Sequence, residues 1–139
     1  LNTPPYKSFY KKLSKILQQF ARDHLEEVSD ATLEKYKQAP FRAPMIVILG
    51  STIKEHPKVP ALEQMFSTAT AGQNILLALN ALGFGGIWRT GKFAMNKQIG
   101  SFLGLEDNQE VLGYLYIGTP VGDNKKIPEL DPENFVKKL

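Results

Sequence analysis

The sequence predicts a single folded domain that mixes helices with buried strands. Three observations carry that expectation. The chain has 139 residues, 42% hydrophobic and 22% charged, which is the length and composition of one globular unit with a real core. Two short β-branched runs, at 45–49 and 111–117, read as strands. Two longer stretches, at 6–20 and 61–82, carry apolar residues at helical spacing.

In chain order, Thr3 before Pro4 and Pro5 reads as a helix N-cap with proline in the first turn. Tyr6, Phe9, Leu13, Ile16, Leu17 and Phe20 then form one apolar stripe. A second helix starts at Ser29 or Asp30, runs to about Gln38 and stops before Pro40, in the loop 40–44. Residues 45–49 form a strand buried on both faces, and the proline-bounded stretch 56–60 is a loop.

From 61 to 82 the pattern is helical, with Met65, Ala69, Gly72, Leu76, Leu79 and Leu82 sharing much of one face and Gly83 as a C-terminal cap. Gln64 to Trp88 carries no charge and is long enough to cross a bilayer. Gln64, Thr68, Gln73, Asn74 and Asn80 make it too polar for lipid, so it reads as a buried helix running into a glycine-rich turn. The small residues Ser67, Ala69, Ala71 and Gly72 admit a second backbone, which suits a domain centre or a subunit interface. Residues 94–103 form a short helix closed by Gly104, and the strand at 111–117 ends at Gly118-Thr119-Pro120. The polar last twenty residues hold a helical turn at Asp131-Pro132-Glu133 and read as an arm across a neighbouring subunit. No repeat or second domain is visible, so the expected domain is 1–139.

Composition excludes several classes. With no Cys there is no disulfide framework, thiolate zinc site or cysteine nucleophile, and two His do not make a histidine-rich metal site. Residues 1–44 hold 8 basic and 5 acidic side chains, so the net charge of +3 sits in the first third, around Lys7, Lys11, Lys12 and Lys15. Such a helix is either a solvated face or a basic amphipathic surface. There is no polybasic nucleic-acid arm and no secretory leader pattern. The expected setting is cytoplasmic, without nucleic-acid or membrane partners.

The densest chemical signal is Gly83-Phe84-Gly85-Gly86-Ile87-Trp88-Arg89-Thr90-Gly91-Lys92. It nearly matches a phosphate-binding Walker loop, but a helix precedes it and Phe93 stands where the magnesium-binding hydroxyl belongs. The dinucleotide fingerprint also fails, because Trp88 occupies the third glycine position. What remains has two readings. In one, the glycines let the backbone approach a flat ligand or phosphate, with Trp88 as a rigid surface, Arg89 as a forked cation and Thr90 as a hydroxyl donor. In the other, Trp88 is core, Arg89 a surface charge and the glycines a turn. His24, His56 and the cluster Glu106, Asp107 and Glu110 read as exposed helix or loop positions, and no Ser sits in a hydrolase elbow.

The order Ala39-Pro40-Phe41-Arg42-Ala43-Pro44, an apolar strand, His56-x-Lys58-Val59-Pro60, Glu63-Gln64, the small-residue helix, residues 83–91 and Gly113-Tyr114-Leu115-Tyr116-Ile117-Gly118-Thr119-Pro120 resembles the nitroreductase family. The nearest branch is that of the small NAD(P)H nitroreductases, and the likeness covers about residues 39–120. The resemblance implies an α+β fold, with a mainly antiparallel central sheet wrapped by helices, in an intertwined homodimer holding two FMN at the interface. It implies NAD(P)H as hydride donor and a nitroaromatic, quinone or similar acceptor, with the flavin carrying the redox chemistry. By the same resemblance the FMN-contacting segment falls on Trp88, Arg89 and Thr90. The nicotinamide contact falls on Ala78, Leu79, Asn80, Ala81, Leu82 and Gly83, and there is no metal site.

One departure from the family pattern shapes the expectation. Its members carry an Arg-Arg-Ser-like motif near the N-terminus for the FMN phosphate, and residues 1–38 hold no Arg-Arg pair. The chain begins at Leu1, and the segment bearing those arginines is expected to be missing from it. The alternative function is a non-enzymatic interaction module on the same fold that no longer binds flavin.

Overall fold

A computed structural model describes residues 5–123 and 126–138, so the proposed cap at Thr3 and Pro4 lies outside the described residues. Its elements are α1 (Pro5–His24), α2 (Asp30–Gln38), β1 (Met45–Thr52), α3 (Ala61–Ala81), β2 (Gly85–Arg89), α4 (Lys97–Phe102) and β3 (Gln109–Gly118), with short 3-10 turns at Ala39–Phe41 and Pro132–Asn134. The architecture is α+β.

The three strands form one antiparallel sheet in the order β1-β3-β2. β3 is central because it is the most apolar strand and pairs along both edges. Its alternating side chains supply two separate core layers. Leu115 and Ile117 face α3 together with Leu49 and Trp88. Val111 and Tyr114 face the other side, against Ala94, Phe93 and Leu105. The strand expected at 45–49 therefore does have a packed layer on each face, although Met45 at its start is exposed. A third cluster joins Leu13, Leu17 and Phe20 of α1 to Ala39 and Ile99. Ser14 fixes α1 to α2 by donating to the Lys37 carbonyl at 2.7 Å.

Local signals account for the helix ends. Ser29 caps α2 by accepting from the Thr32 N–H. At the end of α3, Gly83 donates to Asn80 and Phe84 donates to Leu79, the paired bonds of a Schellman cap. Gln64 brackets the loop 53–60, exchanging two bonds with the Lys54 backbone and donating to the Val59 carbonyl. His56 Nδ1 accepts from the Lys58 and Val59 N–H groups, which makes it a loop-closing residue.

Three elements differ from the sequence expectation. Residues 85–89, expected within a glycine-rich turn, form strand β2, because β3 offers a free edge and the glycines allow close approach. A side chain at Gly86 would collide with Leu76 of α3. Second, α3 is not buried: Gly72 is its one buried residue, and the helix covers the sheet with a single face. Third, α4 begins at Lys97 instead of 94, because Asn96 is the cap, accepting from the Gln98 and Ile99 N–H groups. Beyond β3, the apolar side chains Val121, Ile127, Leu130, Phe135 and Val136 are exposed. Among the described residues, no helix is long and apolar enough to cross a membrane.

Candidate functional site

The site grows out of the alternation along β2. Trp88 opposes Leu115 and turns toward α3. Its indole is held between two glycines, since a Cβ at Gly72 would lie 2.7 Å from the ring and a Cβ at Gly113 would overlap the indole nitrogen. That nitrogen donates to the Leu112 carbonyl at 3.3 Å. Gly113 has φ +153°, which favours glycine, and sits where β3 carries one extra residue against β1. With Trp88 locked on one face, its neighbours Ile87 and Arg89 are turned to the other.

On that other face lies a cleft of two lobes with a common wall. The narrower lobe, about 210 Å³, is lined by Lys35, Tyr36, Arg42, Arg89, Thr90 and Lys92, with Phe93 and Tyr116 behind. The wider lobe, about 410 Å³, runs along Pro44, Gly85, Gly86, Ile87, Thr119 and Pro120. Arg42, Arg89 and Tyr116 line both lobes. Among the described residues, no carboxylate lines either one. Among the described residues the ion pair formed is Lys37 with Glu34, so Arg42, Arg89 and Lys92 keep their charge for a ligand. Burial pushes the Tyr116 pKa up, while the neighbouring Arg42 and Arg89 guanidiniums pull it down and Tyr10 adds to the rise. The hydroxyl therefore stays protonated at neutral pH.

Chemically, the narrow lobe is a cationic seat for an anion and the wide lobe an apolar slot for a flat group. This donor set fits the phosphate and ring of a flavin mononucleotide. Of the sequence-predicted residues, the structure brings Arg89 and Thr90 together in the narrow lobe. It does not bring Trp88 there, whose ring lies across the sheet. Nor do Ala78, Leu79, Asn80, Ala81, Leu82 and Gly83 line the cleft, since they form the last turn and cap of α3.

Arg42 and Tyr116 were not singled out from sequence. The available signals were an arginine held between Pro40 and Pro44 just before a strand, and the strand alternation that puts Tyr116 opposite Ile87. The crevice beside Glu106, Asp107 and Glu110 encloses about 30 Å³, room for a water or two. Among the described residues, no group of three His, Asp or Glu side chains is placed to hold a metal ion.

The fold is α+β, helices against a three-stranded antiparallel sheet, with a cleft beside the end of β2, and sequence comparison assigns it to a family. Residues 6–119 match the Nitroreductase family, and the chain belongs to that family. It is 36% identical over 108 residues to the "Putative NAD(P)H nitroreductase YdjA" of Escherichia coli (strain K12), a match covering 77% of this chain and 59% of that protein. It is 29% identical over 117 residues to the "Putative NAD(P)H nitroreductase" of Haemophilus influenzae, covering 81% of this chain and 62% of the relative. The chain thus spans about three-fifths of the length of these relatives.

Among solved structures, the fold resembles a nitroreductase-like family protein from Bacillus cereus, with TM-score 0.72 and 17% identity over 94% of this chain and 67% of that one. It also resembles the NADPH:FMN oxidoreductase of Vibrio harveyi solved with NAD+, with TM-score 0.61 and 21% identity over 92% of this chain and 54% of that one.

Proposed function

We propose that the protein is an FMN-dependent NAD(P)H oxidoreductase that reduces nitroaromatic, quinone or similar small acceptors in a ping-pong cycle, acting as a cytoplasmic homodimer. The observation that carries this reading is the two-lobed cleft, with Arg89 and Thr90 beside an apolar, glycine-lined slot and no carboxylate in its walls among the described residues.

In the bound state FMN would supply the carrier that accepts hydride from NAD(P)H and later releases electrons to the acceptor. The chain's own residues bind and orient. Arg89 holds the phosphate or the polar edge of the flavin by charge-assisted bonds, and Thr90 adds a hydroxyl. Gly85 and Gly86 let the flat ring lie against backbone. Ile87, Pro44 and Pro120 exclude water from one side of it. The match to an NADPH:FMN oxidoreductase fold supports the choice of cofactor and donor.

The test is direct. The purified protein should be yellow, release flavin absorbance on denaturation, and oxidise NAD(P)H in the presence of a quinone. Arg89→Ala should weaken FMN retention by about tenfold, the value of one charge-assisted hydrogen bond. A colourless protein with no turnover on added FMN would overturn this reading in favour of a flavin-free interaction module.

A further inference from the structure

A further pocket opens on the other side of the loop 40–44, between that loop and α1. It encloses about 360 Å³ and is lined by Lys7, Tyr10, Lys11, Phe41, Ala43 and Pro44. Ala43 and Pro44 also line the wide lobe of the cleft, so the two hollows share one wall. That wall is tied to α1, because the Tyr10 hydroxyl donates to the Pro44 carbonyl at 3.4 Å. Tyr10 meets Phe41 edge to face, with ring centroids 6.1 Å apart and planes at 74°. Phe41 nevertheless keeps 47% of its surface exposed, which leaves ring area open to a ligand. Lys7 and Lys11 stand one turn apart on the same face of α1. Among the described residues neither forms an ion pair, and no carboxylate lines the pocket. The helix itself holds no acid before Asp23. Like charges at this spacing repel, and an anion held between them removes that cost.

We infer that this pocket recognises the acidic end of an aromatic electron acceptor, a ring that carries a carboxylate or sulfonate. Lys7 and Lys11 take the anion, and Tyr10 and Phe41 supply the aromatic contact. The uncharged end of the molecule passes over Ala43 and Pro44 toward the wide lobe. The volume suits a small molecule, and the lining pairs apolar area with a few polar groups of one sign. Compact ammonium groups on flexible stems accept a carboxylate or sulfonate from many directions. A neutral ring gains the aromatic contacts alone, so the pocket selects by charge. Calling the ligand an electron acceptor rests on the function proposed above. Recognition of an aromatic acid rests on the pocket itself.

Two matched pairs of compounds separate these claims. Benzoate and benzamide share a ring and nearly a shape, differ in charge, and are followed by NMR at the Tyr10 and Phe41 ring signals. Benzoate should bind about fivefold more tightly, the effect of two partly exposed ion pairs. Lys7→Gln combined with Lys11→Gln should bring the two ligands to equal affinity. Lys12→Gln combined with Lys15→Gln removes the same charge from exposed positions of α1 outside the pocket, and should leave the preference in place. Equal affinities in the parent protein, or a preference that both double variants reduce alike, would overturn the site. The second pair, 4-nitrobenzoate and 4-nitrobenzamide, tests the acceptor role through turnover with NAD(P)H. KM should be about fivefold lower for the acid, and the Lys7 and Lys11 double variant should abolish that difference. Benzoate recognised through Lys7 and Lys11, with turnover of neither nitro compound, would sink the oxidoreductase reading and keep an aromatic-acid site. Turnover of both compounds at one KM, indifferent to the two lysines, would sink the acceptor pocket and keep the oxidoreductase.

Discussion

Tyr114 is 1% exposed, yet its hydroxyl has no hydrogen-bond partner among the described residues. An unsatisfied buried hydroxyl costs roughly 1–3 kcal/mol, so Tyr114→Phe should raise stability by about 1 kcal/mol at pH 7, read as a higher urea midpoint. A lower midpoint would mean that the hydroxyl is bonded in solution. Burial also pushes the Tyr114 pKa above its ordinary value, with Tyr116 adding to the rise. The unfolded chain therefore gives up this proton near pH 10, while the folded chain keeps it. Native stability is intact below that pH and falls as pH rises above it, and Tyr114→Phe should flatten this alkaline limb. At this scale the sequence was read only in part. Arg89 and Thr90 stand out in the sequence because their chemistry is local, and both line the cleft. Trp88 was assigned two roles, ligand surface or core, and its packing follows from Gly72 and Gly113, residues 16 and 25 positions away that no local pattern connects to it.

Elements were legible where their signals are intrinsic and obscure where a partner decides. The span of α3 and its Gly83 cap follow from periodicity and end chemistry, and the structure reproduces both within a residue. β2 has two glycines in five residues and no alternating pattern; it is a strand because β3 pairs with it. The contact of α3 with β2 yields a sharp prediction. At Gly72, Ala would gain about 1 kcal/mol of helix propensity. Its Cβ, however, would lie 2.6 Å from a Leu49 methyl and 2.7 Å from the Trp88 ring. The ring has little room to retreat, with Leu112 holding its nitrogen and Gly113 behind it. Overpacking of this kind costs roughly 1–3 kcal/mol, and we expect it to win. Gly72→Ala should lower the urea midpoint and reduce Trp88 fluorescence anisotropy in the native state. An unchanged or raised midpoint would show that the helix slides to make room.

For the whole molecule, exposed area is the informative quantity. The chain exposes 10895 Å². A compact monomer of its 15.5 kDa mass would expose about 7,200 Å². Part of the excess is the tail beyond β3, and part is the outer side of α3. There Leu62, Phe66 and Leu77 are each more than half exposed, and helical spacing puts them on one stripe with Gln73. This is the sharpened form of the sequence reading that offered either a domain centre or a subunit interface for this helix. The sheet side of α3 is the domain contact, and the stripe of Leu62, Phe66, Gln73 and Leu77 along its outer flank is left exposed. A permanent homodimer buries roughly 2,000–5,000 Å² in total, and the excess exposed by this chain is of that order. We therefore expect light scattering to give twice the chain mass, with the dimer persisting at high salt because the α3 stripe itself carries no charge to screen. Leu77→Asp places a charge at the C-terminal end of the stripe, on an exposed position. It should yield a monomer with unchanged far-UV circular dichroism, and Phe66→Asp should do the same. By contrast, Lys11→Asp on the exposed, lysine-rich side of α1 should leave the dimer intact. A monomeric parent protein, or a dimer indifferent to Leu77→Asp, would remove α3 from the interface.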